Sequence, residues 1–237
     1  MNTMPTFSLT IPSTGVVVKY RPFLVKDEKA LMIAQQSEDP NVMVDTLKSV
    51  IKSCVIDDIN VDTLAVFDME YMFTQIRGKS VGEIVELLFG CDVDHGEKDN
   101  EKARVKVKID LAALKVTKHE GHTNKIMLFS DVGVVMKYPT LNTIKNLEEG
   151  TENIESIFEV VGNSIECIFQ GDDVYYTKEQ KPEEIQQFLN NLTSDQFKKL
   201  QQFFETMPKL STTVEYKCPI CGREHKKVLE GLQSFFS

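Results

Sequence analysis

The chain opens in period two. Residues 7–11 alternate apolar and polar side chains, Pro12-Ser13-Thr14-Gly15 interrupts the run, and residues 16–18 are all valine. That pattern predicts a β-hairpin with a four-residue turn, ended by Arg21-Pro22-Phe23. The period then lengthens to three and four. Residues 27–36 put Ala30, Leu31 and Ala34 on one helical face, and residues 41–55 repeat Val44, Leu47, Val50, Ile51 and Cys54. Residues 63–77 carry a wide stripe of Leu64, Phe67, Tyr71, Phe73 and Ile76. A stripe that wide predicts a well-buried helix, with Asp62 as its N-cap and Gly78 as its C-cap.

Strand character returns over residues 81–89. An acidic, Gly-containing stretch, 91–101, interrupts it, and strict alternation resumes over 104–109. This is a second hairpin with a polar tip. Residues 125–137 hold two more short strands around Asp131-Val132-Gly133, stopped by Tyr138-Pro139. Helical spacing is then predicted over 140–147 and over 153–169, followed by a turn at Gly171-Asp172-Asp173. Pro182 suits the first turn of a helix over 182–192. Thr193 and Gln196 fit a capping box for a helix running to Met207, where Pro208 ends it. The chain closes with a strand over 211–216, a turn over 218–222, a strand over 225–229 and the apolar tail Leu232, Phe235 and Phe236.

The fold class expected is α+β: short antiparallel hairpins, two of them zinc-ribbon-like, with helical segments packed around them. Residues 1–80 form an N-terminal hairpin plus helices. Residues 81–237 form a two-hairpin region with inserted helices, one compact unit with the first. No linker-like stretch forces a split. The hairpins at Cys91 and Cys218 look like a pseudo-repeat. In each a β-forming strand reaches a Cys, a Gly follows (Gly96, Gly222), and a Lys- and Val-containing strand leads to a short apolar segment.

Composition narrows the function classes. The 237 residues suffice for a sizeable core, and 14 Phe and 9 Met can fill it in the absence of Trp. The net charge of −9 is the wrong sign for a protein whose main task is to hold a phosphate backbone. The start of the chain lacks a basic stretch followed by an apolar one, so no secretory signal is expected. No apolar run approaches the roughly 20 residues of a membrane span, so no membrane partner is expected. An odd count of five Cys, two of them in a CxxC, reads as reduced cytosol and metal rather than a disulfide framework.

The most specific chemical motif is Cys218-Pro219-Ile220-Cys221-Gly222. Two thiolates on a tight turn point toward one tetrahedral metal, the pattern of a zinc knuckle. The pair is half a site. Cys91 and His95, at the equivalent turn of the other hairpin, are the candidates for the other half, and two hairpins facing each other across one structural zinc is the ribbon geometry. The spacing Cys-x3-His departs from a second Cys-x2-Cys, and packing without metal is the alternative. His225 is a rival ligand, but its neighbours Lys226 and Lys227 read as an exposed strand.

His119-Glu120-Gly121-His122 lacks HExxH spacing and reads as a solvated loop. Asp92, Asp94, Glu97 and Asp99 fail the spacing of a calcium loop and read as a solvated tip. Cys54 and Cys167 sit in apolar helical patterns and read as core, as do Phe197, Phe203 and Phe204. GxSxG, Walker-type and GxGxxG motifs are absent, so no catalytic set is expected. The apolar tail must be packed inside or docked on a partner.

Four stretches in this order resemble the T4-like (T-even type) bacteriophage baseplate protein family. They are Tyr20 to Lys29 (YRPFLVKDEK), Asp131 to Pro139 (DVGVVMKYP), Phe203-Phe204 running to Met207-Pro208, and the closing hairpin EYKCPICG with its ending LEGLQSFF. The resemblance implies a late, non-enzymatic baseplate hub assembly protein or chaperone. Its implied partners are other phage tail or baseplate hub proteins, the tape measure among them. It would act in the cytoplasm of the infected host, with the tail baseplate of the virion as a further location. Docking would use apolar surface, including the C-terminal tail and the hairpin edge strands. The rival readings are a zinc-ribbon nucleic-acid adaptor, using Lys217, Arg223, Lys226 and Lys227, and a metal-dependent enzyme with an open zinc position.

Overall fold

The structure, a computed structural model, describes residues 4–37, 39–144 and 154–235, without the side chains of Pro40, Glu97 and Lys98. The first hairpin pairs β1 (Phe7–Thr10) with β2 (Val17–Tyr20) in antiparallel register, Phe7 opposite Tyr20. Its inner face meets α2 (Pro40–Cys54) and α3 (Val66–Val81), with α1 (Val25–Gln35) packed beside α2. Tyr20, Ile51, Cys54, Met69, Met72 and Ile76 fill the core between them. Asp27 ties this region together. Its carboxylate accepts from Arg21 Nη1 (2.8 Å), Leu24 N–H (2.8 Å) and Ser53 Oγ–H (3.0 Å), joining β2, α1 and α2.

The predicted caps of α3 are corrected. The helix begins at Val66, and Asp62 lies in a separate 3-10 turn, Val61–Thr63, where the Asn60 side chain accepts the Asp62 N–H (3.1 Å). Gly78 lies inside α3, which runs on to Val81 with Gly82 beyond it. A buried carboxylate supports the start of the helix. Asp68 accepts from Ser13 N–H (2.9 Å), Ser13 Oγ–H and Ala65 N–H (3.2 Å), which pins the first hairpin turn to α3.

The two ribbons follow. β3 (Ile84–Phe89) pairs with β4 (Val105–Asp110), with the short α4 (Glu97–Lys102) between them. β10 (Lys209–Lys217) pairs with β11 (Glu224–Glu230) on one side and with β5 (Lys115–Thr117) on the other. A shared core of Val85, Ile109, Leu111, Leu210, Val214, Leu229 and Phe235 lies between the ribbons. The C-terminal segment Leu232–Phe235 is a 3-10 turn packed inward. Phe235 is 1% exposed, and Leu232 N–H donates to Glu70 Oε1 of α3 (3.1 Å). The described part of the tail is therefore core rather than a docking arm, while Phe236 and Ser237 lie outside the described residues.

A four-stranded antiparallel sheet forms the remaining layer, in the order β6 (Lys125–Phe129), β7 (Val132–Met136), β8 (Ile165–Gln170), β9 (Asp173–Tyr176). One face packs against α6 (Ile154–Asn163), α7 (Pro182–Asn190) and α8 (Ser194–Thr206) through Val134, Met136, Val161, Leu189, Leu200 and Phe203. Thr193 and Gln196 form the predicted capping box.

The helix expected over 153–169 is corrected. Asn153 lies outside the described residues, α6 ends at Asn163, and Ile165 enters β8. Gly162-Asn163-Ser164 breaks the helix, and Lys137 N–H captures Ser164 O (2.8 Å), committing the chain to the sheet. Of the helix expected over 140–147, α5 covers Leu141–Ile144 and residues 145–147 lie outside the described residues. Cys167 is buried as expected, but on a strand.

Candidate metal centre

The ends of the two ribbons meet at their turns. After β10 the chain folds back sharply: Cys218 N–H donates to Arg223 O (2.8 Å) and Gly222 N–H to Cys218 O (3.0 Å). Gly222 adopts φ +72°, a conformation that strains an L side chain. After β3, Val93 N–H donates to Cys91 Sγ (3.4 Å). Asp94 Oδ1 accepts from Gly96 N–H (2.9 Å) and Asn100 Nδ2 (2.8 Å), while Asn100 Oδ1 accepts His95 N–H (2.9 Å). α4 thus supplies the amide that fixes the backbone of His95. Tyr216 clamps the ribbons together: its hydroxyl donates to Gly90 O (2.8 Å), and its ring stacks on both Phe89 (5.3 Å) and His225 (5.0 Å).

This arrangement brings Cys91, His95, Cys218 and Cys221 together, with one donor atom of each within 4.8 Å of the others. Cys91 Sγ lies 3.8 Å from Cys221 Sγ, and Cys218 Sγ lies 3.5 Å from His95 Nε2. Thiolates about 2.3 Å from a tetrahedral zinc stand about 3.8 Å apart, the separation of Cys91 Sγ and Cys221 Sγ. Cys218 is buried and Cys221 exposed, and all three sulfurs are free thiols.

The electrostatics of the bare thiols fit a cation as well. Burial opposes ionisation of Cys218, but the Cys221 and Ile220 N–H groups and the Cys221 and Cys91 thiols bring it down to about 6. At Cys91 the Val93 N–H favours the thiolate, yet burial and the other two thiols push its pKa up. Three thiolates this close repel one another unless a positive ion sits between them. The cluster can therefore hold a metal ion through three sulfurs and one imidazole. Four protein donors complete a tetrahedron and leave no position for water or substrate.

The expectation for His225 is corrected. It is 7% exposed, with Nε2 3.3 Å from Cys91 Sγ and Nδ1 3.2 Å from Asp92 Oδ2. The signal was in the alternation: His225 shares its side of β11 with buried Leu229, while Lys226 points the other way. His122 is also corrected from a solvated loop residue to a buried one. Nδ1 lies 3.0 Å from Thr206 Oγ1, Nε2 lies 3.2 Å from the Tyr138 hydroxyl, and the ring packs on Phe203. His119 stays exposed.

In the acidic tip Asp94 closes the loop bracket, Asp92 lies beside His225, and Asp99 pairs with Lys102 (2.9 Å). Two of the lysines near the knuckle face acids: Lys226 meets Glu215 (3.2 Å) and Lys227 meets Asp92 (3.7 Å).

Fold and site together define an α+β protein whose two β-ribbons converge on a Cys3His cluster. The chain matches the family described as T4 bacteriophage base plate protein over residues 4–237, and it belongs to that family. It is a phage baseplate protein. Searches of curated proteins and of solved structures found no match. Among the described residues no helix is long and apolar enough to cross a membrane.

Proposed function

We propose that the protein is a non-enzymatic assembly factor or chaperone of the baseplate hub. It docks on other tail proteins, the hub or the tape measure, in the cytoplasm of the infected cell. The observation that carries the docking reading is β9. All four of its residues are exposed, Val174, Tyr175 and Tyr176 among them, and it forms an edge of the four-stranded sheet. An open edge with apolar side chains is a template for an added strand from a partner.

The Cys3His cluster supports a structural rather than catalytic role. Zinc bound there would join the ribbons and offer no open coordination position. The acids beside Lys226 and Lys227, Glu215 and Asp92, weaken the nucleic-acid reading, because carboxylates there repel a phosphate backbone.

Co-expression with individual tail proteins tests the proposal. A hub or tape-measure protein should co-purify with the wild-type chain and be lost with Val174→Asp/Tyr175→Asp, at an unchanged melting temperature. Co-purification that survives the double substitution removes β9 from the account. Failure of every tail protein to co-purify removes the hub role. Intact zinc binding with a water in the coordination shell would favour the enzyme reading instead.

A further inference from the structure

We propose that His225 is a positioning residue of the metal centre: with a proton on each ring nitrogen, its Nε2–H donates to the Cys91 thiolate and its Nδ1–H donates to the Asp92 carboxylate, which orients the ring. This rests on the reading of Cys91, His95, Cys218 and Cys221 as metal ligands. His225 stands outside that set: its Nε2 meets Cys91 Sγ, but it is not among the four residues whose donor atoms all lie within 4.8 Å of one another.

The geometry argues for an outer-shell donor. Nε2 lies 3.3 Å from Cys91 Sγ, within reach of an N–H···S hydrogen bond, and Nδ1 lies 3.2 Å from Asp92 Oδ2. Stacking on Tyr216 at 5.0 Å and 17° holds the ring plane. The same Tyr216 donates to Gly90 O, next to Cys91, so the ring and the sulfur it serves share one support. Lys227 Nζ reaches the other oxygen of Asp92 (3.7 Å), which fixes the carboxylate from behind. Cys91 needs such help more than its partners do. Its loop lacks the tight CxxC turn that sets Cys218 and Cys221, and a hydrogen bond to a bound thiolate lowers its tendency to leave the metal or react. Outer-shell donors of this kind raise metal affinity by about ten- to a hundredfold.

The test uses the full chain loaded with Co2+ in place of zinc. His225→Phe keeps an aromatic ring for Tyr216 and removes both nitrogens; Asp92→Ala leaves the imidazole without its orienting carboxylate. Wild type should bind one Co2+ with the absorption of a three-thiolate, one-imidazole site. His225→Phe should give the same spectrum with an affinity about ten- to a hundredfold lower. It should also give selectively faster alkylation of Cys91 by iodoacetamide, followed by peptide mass spectrometry. Asp92→Ala should move both readouts the same way by less.

Wild-type affinity and wild-type Cys91 alkylation in His225→Phe would overturn the proposal and leave the metal centre standing. Loss of the imidazole signature in His225→Phe, with its retention in His95→Ala, would make His225 a ligand and overturn it too. A wild-type chain that binds neither Co2+ nor Zn2+ would sink the metal reading, and this proposal with it.

Discussion

Cys91 Sγ lies 3.8 Å from Cys221 Sγ, although 130 residues separate them along the chain. Each sulfur sits at the tip of its own ribbon, and the two ribbons share one apolar core. Nothing local in either hairpin brings the sulfurs together. The core sets the approach of the ribbons, Tyr216 fixes their tips, and the thiols then compete for space that a cation would relieve.

Removing a metal from this cluster should loosen the ribbons. Zinc at a thousand times its dissociation constant adds about 4 kcal/mol to the folded state. A chelator in excess should therefore lower the melting temperature by on the order of 10 °C. Cys218→Ser should show the lowered value from the start and bind less than one equivalent of zinc. Calorimetry with elemental analysis checks both; a chelator-insensitive melt would leave packing as the sole link between the ribbons.

The tail is part of the core, so truncating it should act on stability. Phe235, 1% exposed among Leu111, Leu210 and Leu229, should cost about 3–5 kcal/mol when replaced by Ala. Chemical denaturation measures this. A cost below about 1 kcal/mol would show that the site collapses around the missing ring.

Gly133 of β7 is required by close approach. A Cβ there would lie 2.4 Å from Phe169 Cζ and 2.5 Å from Ile126 O. The ring can move aside but the carbonyl belongs to the neighbouring strand. Gly133→Ala should destabilise by about 1–3 kcal/mol. Gly133→Ala/Phe169→Ala should recover the ring's share alone, seen as non-additivity in a double-mutant cycle.

His122 should make stability fall with acidity. Burial, followed by the charges of Lys118 and His119, holds its imidazole below the ordinary range. The unfolded chain, with a value near 6.5, binds the proton more tightly than the folded one, so stability declines as pH drops below about 6.5. Asp68 and Glu70 oppose this, since burial raises both carboxyls and protonation then favours the fold. The difference between wild type and His122→Phe isolates the histidine. The variant should show a smaller loss of melting temperature between pH 7.5 and 5.5, and an equal loss in both would exclude His122 as the source.

Most elements were readable from hydrophobic period, since the first hairpin, α2, α3, both ribbons and the capping box at Thr193 all carry local signals. β8 was not readable. Val161, Ile165 and Ile168 keep the three-four spacing of the preceding helix, and the preference for a strand comes from β7 alongside. Cys91 and His95 were found by analogy between two turns, because the second pair lacks regular knuckle spacing. His225 was misread from its neighbours' charge when its own position in the alternation carried the information. His122 had no such signal, since Thr206, Tyr138 and Phe203 reach it from distant elements.

The contact of Leu232 with Glu70 also bears on biosynthesis. β3 and β4 leave the ribosome well before β10 and β11, yet Val85 and Ile109 are covered only once the last strands arrive. During that interval the nascent chain carries an apolar ribbon face, and Cys91 and His95 lack Cys218 and Cys221 beside them. β10, β11 and Phe235 then close both gaps in one step.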